Sequence, residues 1–198
     1  MSWLEILKNW DAAVFQCINS DLGNPVFDVL LPLFREKWFW APLYLFLGAF
    51  VWSNYGKKGW ILVLGMVLSV GLADMTSSRL VKNNVQRLRP CNDPAMVETL
   101  HLRVSCGSGY SFTSSHAANH FALAVFLIGL FGHRSRRVRP AALTWAGLIA
   151  LSQVYVGVHY PGDVICGAIL GAAIGWPVAV VASRCLNTNM DHPEFREW

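Results

Sequence analysis

The sequence predicts an all-α, polytopic membrane helix bundle, and three observations carry that prediction. Hydrophobic residues make up 54% of the 198 and charged residues only 14%, too few charges for an ordinary soluble surface. Five apolar stretches approach the roughly 20 residues that an α-helix needs to cross the hydrocarbon core. Two clusters of basic residues, Lys57–Lys58 and Arg134–Arg139, lie in alternate connections between those stretches, as basic clusters do on the cytoplasmic side of membrane proteins. No Pro/Ser-rich linker or low-complexity block divides the chain, so one domain over residues 1–198 is expected.

Residues 1–36 differ from the rest of the chain. WLEILKNWDAAVFQCI is amphipathic with mixed charge, and NPVFDVLLPLF is too short to span, so both predict interfacial helices. No basic region followed by an apolar run marks a cleavable signal peptide. The five spans are predicted at about Trp38–Trp52, Trp60–Ser77, Ala117–Gly132, Pro140–Val158 and Val164–Ala182. Lys57 and Lys58 lie in one connection, Arg134, Arg136, Arg137 and Arg139 in another, and Arg184 follows the last span. All fall on one side, which places the loop 83–112 and the turn at Tyr160–Gly162 on the extracytoplasmic side. Residues 1–37 carry three Lys/Arg against five Asp/Glu, no barrier to their placement on that side, and five spans put the C-terminus inside. The net charge of +4 is accounted for by orientation and implies no nucleic acid; no obligate protein partner is implied either. Cys91 and Cys106 share the outer loop, where an oxidising compartment permits a disulfide; Cys17 on the same side leaves the pairing open.

Three segments bring polar groups to the outer face. KNNVQRLRP holds Lys82 and Arg89 seven residues apart, two turns and nearly one face if helical. Two such cations suit a phosphate, or a lipid headgroup at the membrane surface. YSFTSSHAANH offers Ser114 or Ser115 as a helix N-cap, with His116 in the first turn; free N–H groups there attract an anion, although capping alone explains the hydroxyls. SQVYVGVHYPGDV sets His159 and Asp163 on either side of Pro161, which ends one helix and begins the next. A carboxylate beside an imidazole fixes its tautomer and raises its basicity. A zinc site fits poorly, because the two histidines stand beside cations without clear third and fourth ligands. Phosphoryl transfer fits the set better: it needs charge neutralisation, a nucleophile and an acid for the leaving oxygen.

In this order the segments resemble the signature of the type 2 phosphatidic acid phosphatase superfamily, K-x6-RP, PSGH and SR-x5-H-x3-D, a family related to bacterial acid phosphatases and vanadium haloperoxidases. Lys82 to Arg89-Pro90 matches the first element, Ser114 and His116 the second, and Ser152, His159 and Asp163 the third. The resemblance implies an acid phosphatase/haloperoxidase-like core and a metal-independent lipid phosphatase without cofactor. It implies His159 as nucleophile through a phosphohistidine, Asp163 as its orienting group and His116 as acid. Lys82, Arg89, Ser114, Ser115 and Gln153 would bind phosphate. Ser115 replaces the motif glycine and Gln153 the motif arginine; Arg79 and Arg87 are candidates for the missing charge.

A membrane lipid phosphate is the expected substrate, with the site at the outer face of the cytoplasmic membrane. Undecaprenyl diphosphate, recycled as a carrier in cell-wall synthesis, comes first, ahead of phosphatidylglycerol phosphate, phosphatidate and lipid A. The alternatives are a lipid phosphotransferase and a lipid-binding or transporting protein with a degenerate site.

Overall fold

The computed structural model describes residues 2–186; the tail whose inward placement the topology predicts lies beyond them. Its helices are α1 (Trp3–Gln16), α2 (Pro25–Arg35), α3 (Ala41–Tyr55), α4 (Gly59–Met75), α5 (Lys82–Val85), α6 (Ser115–Phe131), α7 (Val138–Tyr155) and α8 (Pro161–Cys185). Five of these fall on the five predicted apolar stretches. The helical run Ala41–Asn92 and α8 are long and apolar enough to cross a membrane, whereas α6 is apolar but shorter. Polar site residues shorten the apolar run of α6, which carries His116, Asn119 and His120 in its first two turns.

Local chemistry sets the boundaries. Ser2 and Glu5 form a capping box at the start of α1, and the Asn24 side chain accepts from the N–H groups of Val26 and Phe27 at the start of α2. Such caps satisfy donors that a helix start leaves free. Between α3 and α4 the chain turns at Gly56, with φ +49°. α7 ends at Tyr155, three residues before its predicted end, because Gly157 takes φ +90°, a conformation open to glycine.

Close approach of α6 and α8 aligns the site. A Cβ on Gly171 would lie 2.1 Å from the Ala118 carbonyl oxygen, and one on Gly175 2.2 Å from that of Ala122. Glycines four apart on α8 thus meet alanines on α6, the small-residue packing that lets helix backbones touch. At the top of this seam the Ser114 N–H donates to the Asp163 carbonyl at 3.0 Å, so the first turns of the two helices are held level. At the other end Arg134 donates to the Tyr55 hydroxyl at 2.6 Å, which puts the two basic connections side by side, opposite the site.

The N-terminal segment is more than a surface layer. Trp3, Leu4, Leu7 and Trp10 are exposed, as an interfacial face requires, but Phe15 is buried with its ring 5.4 Å from that of Tyr160. Buried Asn19 donates to the carbonyls of His101 and Tyr155 at 2.9 and 2.8 Å. Cys91 and Cys106 form a disulfide, so the loop 83–112 is closed on itself as well as tied down by Arg103, which donates to the carbonyls of Asn19 and Tyr155.

Candidate active site

His159 stands in the turn between α7 and α8 and is 2% exposed. The turn is held because the Gln153 carbonyl accepts from the N–H groups of both Val158 and His159, at 3.3 and 3.2 Å. Pro161 then starts α8 at its first position, as predicted, and brings Asp163 back to the imidazole. Asp163 Oδ2 lies 3.6 Å from His159 Nδ1. The Ser111 hydroxyl, 3.5 Å from the same nitrogen, donates to Asp163, and the Tyr160 N–H donates to Asp163 Oδ2 at 2.9 Å.

On the opposite edge of the ring, His159 Nε2 is 3.3 Å from Nη1 of Arg89. A guanidinium only donates, so Nε2 is the acceptor and carries the lone pair, while the proton sits on Nδ1 facing Asp163. Burial pushes the imidazole down from 6.5 to about 4, against the opposing pull of Asp163. The ring is therefore neutral at physiological pH, with a nucleophilic nitrogen turned toward a fixed cation.

Arg89 reaches this place from a loop. Lys82 and Arg89 do not share a helix face, as the spacing suggests, because α5 ends at Val85 and Gln86 turns left-handed at φ +52°. Arg89 precedes Pro90 and is extended, the conformation a following proline favours. Its guanidinium is fixed by the carbonyls of Gly109 and Val158, at 3.3 and 3.2 Å. Lys82 has no ion-pair partner among the described residues, and its charge is felt at His159 together with that of Arg89.

Arg87 is not the substitute for the missing motif arginine. Its Nη1 donates to Asp163 Oδ1 at 2.9 Å and its Nη2 to Asp11 Oδ2 at 2.6 Å, while its guanidinium stacks 3.9 Å above the Tyr160 ring. Asp11 in turn accepts from the Gly162 N–H at 2.7 Å. Both carboxylates hold the guanidinium, so it has become the support for Asp163. Arg79, the other candidate, is exposed.

The motif hydroxyls are engaged as well. Ser114 caps α6 through the Ala117 N–H at 3.4 Å, and Ser115 lies 3.0 Å from the hydroxyls of Ser77 and Ser78, an anchor that a glycine could not provide. Gln153 is fully buried, yet both polar atoms of its side chain lack partners. His116, on the first turn of α6, feels the charges of Arg35 and Lys82. Its ring stacks on that of His120 with centroids 6.5 Å apart.

Sequence reasoning missed Asp11, Ser111 and Arg35. Asp11 and Ser111 reach Asp163 or its neighbours across long stretches of chain, and Arg35 sits in a segment read as interfacial. No spacing signal linked them to the motifs.

A polar cavity of about 210 Å³ opens beside His116, lined by Arg35, Lys37, Asp74 and Asn119 among others. It shares Tyr44, Asn119 and His120 with an apolar cavity of about 640 Å³ that runs along α3, α4 and α6 past Leu47, Val63 and Val70. A polar recess that borders an apolar groove suits an amphiphile with its polar end beside the histidines.

The PAP2 superfamily model matches residues 58–188. The lipid A 4'-phosphatase of Bacteroides thetaiotaomicron is 33% identical over 184 residues, 91% of this chain and 80% of that protein. The lipid A 4'-phosphatase of Porphyromonas gingivalis is 28% identical over 179 residues, 87% and 71%. Among solved structures, the PAP2-type phosphatidylglycerolphosphate phosphatase from Bacillus subtilis superposes with a TM-score of 0.69 at 23% identity, covering 90% of this chain and 87% of the other.

Proposed function

The chain belongs to the PAP2 superfamily and is a membrane lipid phosphatase, and we propose that it removes a phosphate from a lipid headgroup through a phosphohistidine on His159. The observation that carries this reading is the orientation of His159, with Nδ1 toward Asp163 and Nε2 toward Arg89. Nε2 attacks phosphorus, the bond from phosphorus to the headgroup oxygen breaks, and His116 gives that oxygen its proton. Water then attacks the phosphohistidine, His116 takes a proton from it, and inorganic phosphate leaves as His159 recovers its lone pair. Arg89 and Lys82 neutralise the phosphoryl oxygens. Gln153 adds a neutral amide, a role supported by its two unpaired buried atoms. Ser114 and Ser115 act by fixing the start of α6, whose N–H groups face the anion.

Lipid A 4'-phosphate is the first candidate substrate, on the strength of the two relatives so named. Undecaprenyl diphosphate, placed first on the sequence alone, is not specifically supported by those relatives and stands second. Helices α3, α4, α6, α7 and α8 form five spans of the cytoplasmic membrane in this proposal, with the site on the outer side and Lys57, Lys58 and the Arg134–Arg139 cluster inside. The test is phosphate release by purified protein without added metal, from lipid A, prenyl diphosphates, phosphatidylglycerol phosphate and phosphatidate. Release from lipid A that His159→Ala abolishes is the expected result. Equal inactivity of wild type and variant on the whole panel favours a lipid-binding protein, and label recovered in a second lipid favours a phosphotransferase.

A further inference from the structure

Arg35 ends α2, 47 residues before the first motif lysine, and nothing in the motif pattern assigns it a role. It lines the polar cavity next to His116, its charge acts on both His116 and Arg89, and its Nε is buried without a hydrogen-bond partner. Among the described residues no carboxylate forms an ion pair with it. A buried donor on a permanent cation is costly to leave unpaired, so its place in the fold calls for an acceptor that the protein does not supply. Lys37 adds a second cation to the same cavity. The carboxylate there, Asp74, accepts from the Asn119 amide at 3.1 Å, and two cations against this one carboxylate leave the cavity with a net positive charge.

The position of this cavity decides what it takes. Of the residues assigned to the reaction it includes His116 and Ser115 but not His159, Lys82 or Arg89, so it lies on the side of the leaving oxygen and away from the imidazole that takes the phosphoryl group. It also borders the apolar groove, with which it shares Tyr44, Asn119 and His120, the side on which the phosphatase reading places the lipid part of the substrate. We propose that Arg35, assisted by Lys37, binds a second anionic group carried by the leaving headgroup, and so selects lipids that bear negative charge beyond the phosphate being removed. This rests on the phosphatase reading above and extends it to the substrate class. The second anion has two chemical sources: the remaining phosphate of a prenyl diphosphate, or an acidic group elsewhere on a phosphorylated sugar headgroup.

The experiment compares kcat/KM within two substrate pairs, for wild type and Arg35→Gln: a prenyl diphosphate against its monophosphate, and lipid A with against without its second phosphate. The ratio within a pair should fall about 10- to 100-fold in Arg35→Gln, the effect of losing a charge-assisted hydrogen bond, and the pair that responds identifies the source. Arg35→Lys, which keeps the charge, should recover part of the ratio. Ratios within threefold of wild type in both pairs overturn the proposal, as does an equal loss on all four substrates. A binding arm needs no catalysis: inorganic pyrophosphate should raise the melting temperature of the wild type more than orthophosphate does, and Arg35→Gln should lose the difference. A wild type that pyrophosphate protects no better than orthophosphate, and whose kcat/KM values within each pair agree to within threefold, overturns the proposal even if the variant fails to fold. A wild type inert on every lipid but protected by pyrophosphate through Arg35 instead defeats the phosphatase reading and leaves the anion site standing.

Discussion

His159 and His116 stand on two sides of the same site, and their surroundings are opposites. The groups that touch the His159 ring are buried and committed, with Asp163 held by Arg87, Ser111 and the Tyr160 N–H and Arg89 by two carbonyls, and only the Gln153 amide behind them is unpaired. Around His116 the groups are open or unpaired, with Arg35 Nε and Asn119 Oδ1 lacking partners and a cavity beside them. The difference separates two tasks. In the proposed mechanism the half that attacks phosphorus is preorganised and costs no reorganisation when charge develops, whereas the half that meets the headgroup is left for the substrate to complete.

Substitution of the two histidines breaks the comparison most sharply. His159→Ala should lower kcat on the order of 10⁴-fold, because the proposed mechanism leaves no other group to form the covalent intermediate. His116→Ala should cost about 10²- to 10³-fold on a lipid phosphate, the range of a lost general acid. On an aryl phosphate lipid, whose leaving oxygen needs no proton, the His116→Ala loss should shrink to about tenfold while the His159→Ala loss stays. Phosphate-release kinetics on both substrates measure this, and equal relief of the two variants would show that the halves do not divide the work.

The seam that joins the halves gives a smaller effect. Gly171→Ala places a methyl 2.1 Å from the Ala118 carbonyl oxygen, so α6 and α8 must part and the histidines with them. The expected outcome is a melting temperature lowered by several degrees, since overpacking costs about 1–3 kcal/mol, and activity lower by about tenfold through misplacement. Full activity at reduced stability would show that the two halves tolerate relative movement.

The closed half was the more legible in the sequence. Lys82, Arg89, His159 and Asp163 are chemically conspicuous in an apolar chain, and their spacing follows the local geometry of one turn or one loop. The five apolar stretches were legible for the same reason, since burial in lipid leaves a composition signal at the scale of a helix. What supports the site was not. Asp11 reaches Arg87 across 76 residues and Arg35 reaches the cavity from a segment that reads as a surface helix. Such contacts arise from packing, and an aspartate or arginine in an amphipathic helix has an ordinary reason to be there. Local spacing misled once: Lys82 and Arg89 look like one helical face until Gln86 and the pre-proline position of Arg89 break the helix.

The smallest effect concerns pH, and it tests how closed the closed half is. Protonation of Nε2 removes the lone pair that attacks phosphorus, so kcat/KM must fall as pH drops through the pKa of His159 in the free enzyme. Burial has pushed that pKa from 6.5 to about 4, which moves the acid limb downward: an ordinary histidine is half protonated already at its pKa of about 6.5, whereas this one stays more than nine-tenths neutral to about pH 5. The same shift acts on stability. The folded state binds fewer protons than the unfolded one between about 4 and 6.5, so this contribution is whole above 6.5 and declines as pH falls through that window. A kcat/KM profile with its acid limb near 4 sustains the comparison. A limb near 6.5 would place water at His159 and make its surroundings as open as those of His116.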